Sequence, residues 1–423
     1  MHAFLLNLHS KITDTPPGAV AKRFWKNIVP AFVGEGSVAL ISLGVYVLAI
    51  RFLGPEEFGR WSLVASMGEL LAIVPLWGLA AAALVYLGKD ESGRGVIIGT
   101  AVRTTIILSF IFFPIYVLVE PILSPLIRLE STLYTAAVIY ALFILWNHLS
   151  QAFFKGVDKF KILSVFLISS AVIFAGVTFF FLLVLDTVTF ESLFWGNIAR
   201  TTVLILAGAF VFRRSLFRFS NTAFKTLTSY GTLSMASVLL GFFSLSSIDN
   251  LMINHYLGTE SVGIYAAYFM VFGLLVGKVL GTASQVFLPL VSGITDIRTL
   301  FAKSLSLLAP SSVVLLVGSF LLTWIAFIFY GERFDFNPGM AALVAAAATI
   351  YFLKSPFESI LASRGVPGIK FGPPVAGMLA FLNVMFNILL IPIWGLHGAA
   401  LGTALSGLIT LLFILYLIKR HFT

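Results

Sequence analysis

The chain has 423 residues, of which 59% are hydrophobic and only 11% are charged, and its formal net charge is +9. With a mean hydropathy of +1.02, it has too few polar residues to cover a soluble globule, so we predict a protein embedded in a bilayer. Because it contains no cysteine, disulfides, thiolate metal sites and thiol catalysis are excluded. The six histidines lack ligand spacing, so neither a metal nor any other cofactor is predicted.

The apolar runs predict an all-α polytopic membrane protein with about twelve transmembrane helices. A short N-terminal segment, residues 1–28, precedes them, and its apolar run is too short for a signal peptide. The predicted spans are residues 29–51, 61–87, 95–119, 133–154, 162–185, 192–212, 227–254, 261–291, 304–329, 338–361, 372–393 and 396–418.

The distribution of lysine and arginine predicts the topology of these spans. Twenty basic residues, Lys354 among them, fall in the termini and in alternate loops, whereas the opposite loops hold only four. Because basic residues are retained on the cytoplasmic side, we expect both termini to be cytoplasmic in a cell membrane. The positive charge is therefore a topology signal and not a sign of nucleic-acid binding. The basic loop at residues 213–226 predicts a cytoplasmic linker between two six-helix lobes, residues 29–212 and 227–423.

A short stretch of the sequence occurs twice. Its copies are RFLGPEEFGRWSL, which starts at position 51, and HYLGTESVGIYAA, which starts at position 255. The offset, 255 − 51 = 204 residues, is close to half the chain, which predicts duplicated halves around a central substrate path. Glycines break the helix in each copy, so the predicted turn residues are Gly54, Gly59, Gly258 and Gly263.

Ionisable residues inside predicted spans are costly in a bilayer and are therefore candidates for function. Arg103 and Arg200 lie about 12 Å from the starts of their helices, near the midplane, and each offers forked donors to a phosphate or pyrophosphate. Lys278 is a third candidate cation. The alternative is an internal ion pair, for which Glu69 is the partner at similar depth. Glu69 is also a candidate for ion coupling.

The seventh predicted span carries a polar stripe. Asn250 and Asn254 are four residues apart and Asp249 lies beside them, so they share one region of the helix surface. We predict that the two asparagines bind sugar hydroxyls and that Asp249 takes up a proton during coupling. Hydrogen bonding between helices is the open alternative. Because no catalytic constellation of carboxylates is found in an outer loop, we predict no catalytic residues and no enzymatic activity.

Three stretches carry a resemblance to a known family: NIVPAFVGEGSVALISLGVYVLAIRFLGPEEFGRWSL, SIDNLMINHYLGTESVGIYAAYFMVFGLL and NILLIPIWGLHGAALGTALSG. They resemble the polysaccharide flippases of the multidrug/oligosaccharidyl-lipid/polysaccharide exporter superfamily. The resemblance implies a V-shaped transporter of two lobes that alternates access without ATP hydrolysis. It implies transfer of a lipid-linked oligosaccharide, usually an undecaprenyl-pyrophosphate repeat unit, to the outer leaflet. It also implies a cationic inner cavity, to which Arg103, Arg200 and Lys278 would contribute.

Two other classes of transporter compete with this interpretation. A cation-coupled multidrug exporter on the same fold would need an acidic, aromatic-lined cavity, for which Glu69 and Asp249 are candidates. A facilitator-type transporter also has two six-helix halves, but the loop at residues 88–95 lacks its Asp-Arg-x-Gly order. The partners expected for the flippase are the lipid-linked oligosaccharide, membrane lipid, and a polysaccharide polymerase with its assembly proteins. A monomer satisfies these requirements.

Overall fold

The computed structural model describes residues 19–89, 91–243, 246–273, 297–363 and 370–422, and all regular secondary structure in these ranges is helical. Eight of the described helices are long and apolar enough to cross a membrane, so the fold is that of an all-α, multi-pass membrane protein, as predicted. The helices are α1 Ala19–Leu76, α2 Leu79–Lys89, α3 Arg94–Leu126, α4 Ser131–Gly156, α5 Phe160–Leu183, α6 Glu191–Phe212, α7 Asn221–Phe242, α8 Ser246–Leu257, α9 Thr259–Val271, α10 Ile297–Tyr330, α11 Pro338–Ala362 and α12 Gly372–Phe422.

The first and last helices each contain a break at a glycine. In α1 the break is Gly54, with φ 76° and ψ 178°, and in α12 it is Gly395, with φ 56° and ψ −134°. Side chains disfavour both conformations, which glycine adopts without steric cost. Each of these helices therefore contains residues of two predicted spans.

Two predicted spans are interrupted in ways that the sequence did not indicate. The second span turns sharply at Trp77 and Gly78, whose φ angles are 47° and 65°, and so divides between α1 and α2. The seventh span divides between α7 and α8. Most of the eighth predicted span, residues 261–291, lies outside the described residues.

The assignment of Lys354 to a loop is wrong. Lys354 lies within α11 and is only 5% exposed. Its ammonium is 3.3 Å from the carboxylate of Glu358, one turn further along the helix, and 4.6 Å from the centre of the Tyr351 ring. A partner carboxylate and an aromatic face stabilise the buried charge, which explains why a basic residue is found so far inside the helix.

The described residues cluster into two compact units. Residues 44–266 form one unit, and the described residues from 267 onward form the other together with the start of α1. In the second unit α11 and α12 share an apolar core that includes Phe357, Ile360 and Ile414. The two six-helix lobes that we predict, joined at residues 213–226, stay a prediction.

The two copies of the repeated stretch pack against each other within the 44–266 unit. Gly54 and Gly258 occupy equivalent positions and both have positive φ, 76° and 87°. Gly59 and Gly263 are also equivalent, and each lies against the backbone of the other copy. A Cβ on Gly59 would overlap the carbonyl oxygen of Thr259. The repeated glycines thus serve two purposes, the first permitting the turn and the second permitting the close backbone contact.

Candidate functional site

A connected cluster of polar and aromatic side chains crosses the helices of the 44–266 unit. Helix α1 contributes residues on both sides of its break at Gly54, and α4, α5 and α6 contribute the remainder. The members are Tyr46, Trp61, Glu69, Tyr140, His148, Phe174, Asn197 and Arg200. We call these eight residues the polar cluster.

One end of the polar cluster holds a carboxylate and an imidazole. Glu69 Oε2 lies 3.4 Å from Nε2 of His148, and both side chains are 43% exposed. The Tyr140 ring packs edge-on against Trp61, with 5.4 Å between ring centres. Gly68 makes room for this arrangement, because a Cβ there would lie 2.6 Å from the Tyr140 ring. The result is an accessible carboxylate–imidazole pair on the same two helices as a tightly packed aromatic pair.

The other end of the polar cluster holds a guanidinium. Arg200 lies over the Phe174 ring at 5.8 Å, and the same ring packs against Tyr46 at 5.4 Å. Asn197 donates from Nδ2 to the hydroxyl of Tyr46 at 3.3 Å. A half-buried guanidinium held over an aromatic face keeps its planar fork of N–H donors oriented, which suits it to bind a phosphate or a diphosphate.

Tyr140 connects the two ends. Both Glu69 and Arg200 act electrostatically on its phenol, so a negative and a positive group interact with one buried side chain. An anion that binds at Arg200 would therefore change the electrostatic environment of Tyr140. The cluster has the parts needed to link anion binding to protonation.

The remaining predicted cations are not part of the polar cluster in the described structure. Arg103 lies over the ring of Phe219 at 4.7 Å, whereas the contact described for the carboxylate of Glu69 is with His148. Glu69, the partner named in the alternative of an internal ion pair, thus contacts a histidine. Lys278 lies outside the described residues.

The polar stripe on the seventh span is used for packing between helices. Asn250 donates to Ser66 Oγ at 3.0 Å, and Asn254 donates to the backbone oxygen of Arg128 at 2.7 Å. Asp249 is completely buried and accepts a hydrogen bond from the Tyr265 hydroxyl at 2.6 Å. These contacts are of the kind expected from the alternative of hydrogen bonding between helices.

Removal of the Tyr265 hydroxyl tests this structural role of Asp249. We expect Tyr265→Phe to lower the stability of the purified protein by roughly 2 kcal/mol, because a buried hydrogen bond to a carboxylate is lost. The matched control is Tyr256→Phe, whose side chain is 40% exposed. Apparent melting temperatures in one detergent give the comparison, and equal values for the two variants would contradict the role.

The sequence is similar to that of a family and to that of a curated relative. The family model described as "Polysaccharide biosynthesis protein" matches residues 24–295. The protein described as "Probable flippase AglR", from Haloferax volcanii, is 26% identical over 235 residues, which cover 53% of this chain and 48% of that protein. The chain thus spans about half the length of this relative.

The fold is similar to that of solved transporters. An inward-facing multidrug resistance MATE family transporter of the MOP superfamily has a TM-score of 0.65 at 14% identity, with 93% of this chain and 100% of that chain covered. A MOP superfamily transporter from Pyrococcus furiosus, described as having a binding pocket of reverse polarity, has a TM-score of 0.62 at 12% identity, with 97% of each chain covered. At these identities the likeness concerns the fold alone.

Proposed function

Because the chain belongs to the polysaccharide biosynthesis protein family, whose model matches more than half of it, we propose that it flips a lipid-linked oligosaccharide across the membrane. The substrate of this proposal is a polyprenyl-diphosphate repeat unit, moved from the cytoplasmic to the outer leaflet for assembly of a surface polysaccharide. The chain is a multi-pass membrane protein of this family. The proposal that the substrate is a polyprenyl-diphosphate oligosaccharide rests on the chemistry of the polar cluster.

The observation that carries the proposal is the position of Arg200. A half-buried guanidinium over an aromatic ring provides paired N–H donors that match the oxygens of a diphosphate. A charged headgroup costs many kcal/mol to move through hydrocarbon. Binding at such a site supplies the solvation that the hydrocarbon lacks, while the polyprenyl tail stays in lipid. Flipping in this way breaks and forms no covalent bond, so the proposal assigns no catalytic residue.

The orientation and partners belong to the same proposal. The excess of basic residues in alternate loops supports a cell membrane location with both termini in the cytoplasm. Residues 213–226 are then a cytoplasmic linker. A flippase that delivers repeat units to the outer leaflet works with a polymerase and its assembly proteins, and a monomer is sufficient for the transfer step.

We assign ion coupling to Glu69 in preference to Asp249. Asp249 is completely buried and hydrogen-bonded to Tyr265, whereas the Glu69 side chain is 43% exposed beside His148. A coupling group must exchange its proton with water in some state of the cycle, and only Glu69 has the exposure for this. Its electrostatic effect on Tyr140, which Arg200 shares, gives a physical link to the anion.

We expect an inward proton gradient to accelerate transport in the wild type, because a coupling carboxylate takes up and releases a proton during the transport cycle. Glu69→Gln removes this acceleration while leaving transport without a gradient measurable. The matched control is Glu191→Gln, an exposed glutamate in the first turn of α6. The measurement compares transport rates in proteoliposomes with and without the proton gradient. If the gradient accelerates Glu69→Gln as much as it accelerates the wild type, Glu69 is not the coupling residue.

A cation-coupled multidrug exporter is the second candidate function. It is favoured by the accessible Glu69 carboxylate in a cluster that also holds the packed rings of Trp61 and Tyr140, because carboxylates and aromatic faces both attract organic cations. The guanidinium of Arg200 in the same cluster opposes this reading, since it repels a cation. Flipping of an anionic lipid is consistent with both side chains, because Arg200 would bind the anion and Glu69 would carry the proton.

The leaflet accessibility of a fluorescent polyprenyl-diphosphate oligosaccharide in proteoliposomes tests the proposed function. The labelled lipid is placed in both leaflets, and an enzyme or quencher that cannot cross the membrane removes the signal from the outer one. We expect the wild-type protein to expose the protected fraction and empty liposomes to retain it. If the lipid stays protected but an organic cation is exported with a dependence on Glu69, the exporter function replaces the flippase.

A further inference from the structure

We propose that the cavity formed by the Trp77–Gly78 turn, α3 and α7 is a docking site for the phosphorylated sugar headgroup of the lipid substrate, and this inference rests on the proposed flippase function. The cavity has a volume of about 450 Å³. It lies within the 44–266 unit and shares no residue with the polar cluster. Its lining contains an aromatic ring, hydroxyl groups and a lysine, which are groups that can bind a phosphorylated sugar.

The aromatic wall of the cavity is held in place by the backbone. Trp77 has a φ of 47°, which is unusual for a bulky side chain. Its carbonyl oxygen lies so close to α7 that a Cβ on Gly231 would overlap it. The indole Nε1 donates to Thr232 Oγ1 at 2.9 Å. The ring is thus fixed at the cavity surface by a strained turn, and strain of this kind is typical of functional positions.

Hydroxyl groups from two helices line the cavity. Thr104 on α3 donates to the carbonyl of Thr100 at 2.8 Å, and Thr228 on α7 donates to that of Phe224 at 2.7 Å. Because the hydroxyl hydrogens are used in these bonds, the oxygen lone pairs that remain act as acceptors. Acceptors in the same lining as a fixed aromatic ring are suited to the O–H groups and the apolar face of a sugar.

The charge of the cavity is positive. Lys225 lies on its lining with an exposed side chain, and an ammonium on a flexible stem is an effective point charge for a phosphate. A second cation is close by, because Arg103 lies over the Phe219 ring and that ring contacts Phe224, another lining residue, at 6.4 Å between centres. This position gives the predicted cation Arg103 a role separate from that of Arg200.

The loop that carries Phe219 is packed onto α3. A Cβ on Gly99 would overlap the carbonyl oxygen of Arg218, and the backbone N–H of Ser220 donates to Thr100 Oγ1 at 3.2 Å. The cavity therefore adjoins the basic linker at the first turn of α7 and extends to Thr104 and Leu108, in the third and fourth turns of α3. With the linker in the cytoplasm, Lys225 is at the cytoplasmic end of the cavity, where a substrate headgroup is first met, and Arg103 lies deeper in the membrane. Docking there precedes transfer to Arg200.

A binding measurement on the full-length protein in detergent tests the docking site. The probes are fluorescent geranylgeranyl-diphosphate-N-acetylglucosamine and the same lipid without the sugar. We expect Lys225→Gln to raise the Kd of both probes by roughly tenfold, because one charge-assisted contact is lost. The matched control, Lys161→Gln, alters another exposed lysine and leaves both values within about twofold.

A second variant tests recognition of the sugar. Trp77→Phe keeps a ring but loses the hydrogen bond to Thr232, so we expect it to weaken only the probe that carries the sugar. Phosphatidylglycerol at equal concentration should not displace either probe. If Lys225→Gln binds like the control, or if phosphatidylglycerol competes equally well, the cavity is a general lipid contact and the proposal is overturned.

The leaflet assay separates failure of this inference from failure of the proposed function. A wild-type protein that neither binds nor flips the glycolipid refutes the flippase function itself. A wild-type protein that flips it, with Lys225→Gln unchanged in both binding and rate, refutes the docking site alone. Slow transfer by Lys225→Gln together with weakened binding supports both.

Discussion

Replacement of Gly263 by alanine is expected to destabilise the 44–266 unit more than any other single methyl addition that we consider. The new Cβ would overlap the carbonyl oxygen of Pro55 and approach the backbone N of Gly59. Both obstacles are backbone atoms of the other repeat copy, so no side chain can rotate away. The two copies must separate, and overpacking of this kind costs roughly 3 kcal/mol or more. The apparent melting temperature and the yield of monodisperse protein report the loss.

Gly44→Ala is the matched control for this substitution. Gly44 lies in α1, and a Cβ there would meet nothing within 4 Å. Alanine also favours a helix over glycine by up to about 1 kcal/mol, so this control is expected to melt at or slightly above the wild-type temperature. Similar melting temperatures for Gly263→Ala and Gly44→Ala would show that the two repeat copies are not in close contact.

The sequence predicted the helices well where a single physical cause determines them. A continuous apolar run bounded by charges is sufficient to fix the predicted span 133–154, which corresponds to α4 at Ser131–Gly156, because the bilayer requires a helix of that length. Gly54 and Gly258, two of the predicted turn residues, have the positive φ that only glycine tolerates at low cost, whereas Gly59 and Gly263 lie within helices and pack against each other's copy. This mutual packing was not predictable, because a sequence offset does not say which surfaces meet.

The details of the site depend on tertiary contacts, which the sequence does not encode locally. His148 is 79 positions from Glu69, and their 3.4 Å contact follows from how α4 packs on α1. The turn at Trp77 could not be predicted for a different reason: tryptophan disfavours the φ of 47° that it adopts there. Lys354 was wrongly assigned to a loop because the topology count treats every basic residue near the end of a span as a loop residue. In the structure, the contact with Glu358 allows Lys354 to lie within the helix.

Loss of the Arg200 guanidinium is expected to reduce flipping of a polyprenyl-diphosphate oligosaccharide by about 100-fold. Paired hydrogen bonds to a diphosphate contribute roughly 1.5–3 kcal/mol each, and the aromatic faces of Phe174 and Tyr46 beside Arg200 offer no replacement donor fork. Arg200→Lys keeps the positive charge but loses the fork, so its rate should lie between those of Arg200→Ala and the wild type. The leaflet assay gives all three rates.

Arg213→Ala is the control that shows whether the effect depends on the position of the lost guanidinium or only on the loss of one positive charge. Arg213 follows the last residue of α6, the helix that carries Arg200, and makes the same type of contact with an aromatic ring, 5.0 Å from the centre of Phe210. Since it is outside the polar cluster, its loss should leave the rate within about twofold of wild type. If Arg200→Ala retains its fold and flips the lipid at the rate of Arg213→Ala, then Arg200 does not bind the diphosphate. A graded loss from wild type through Arg200→Lys to Arg200→Ala, at unchanged melting temperature, instead requires an anion at the guanidinium during transfer.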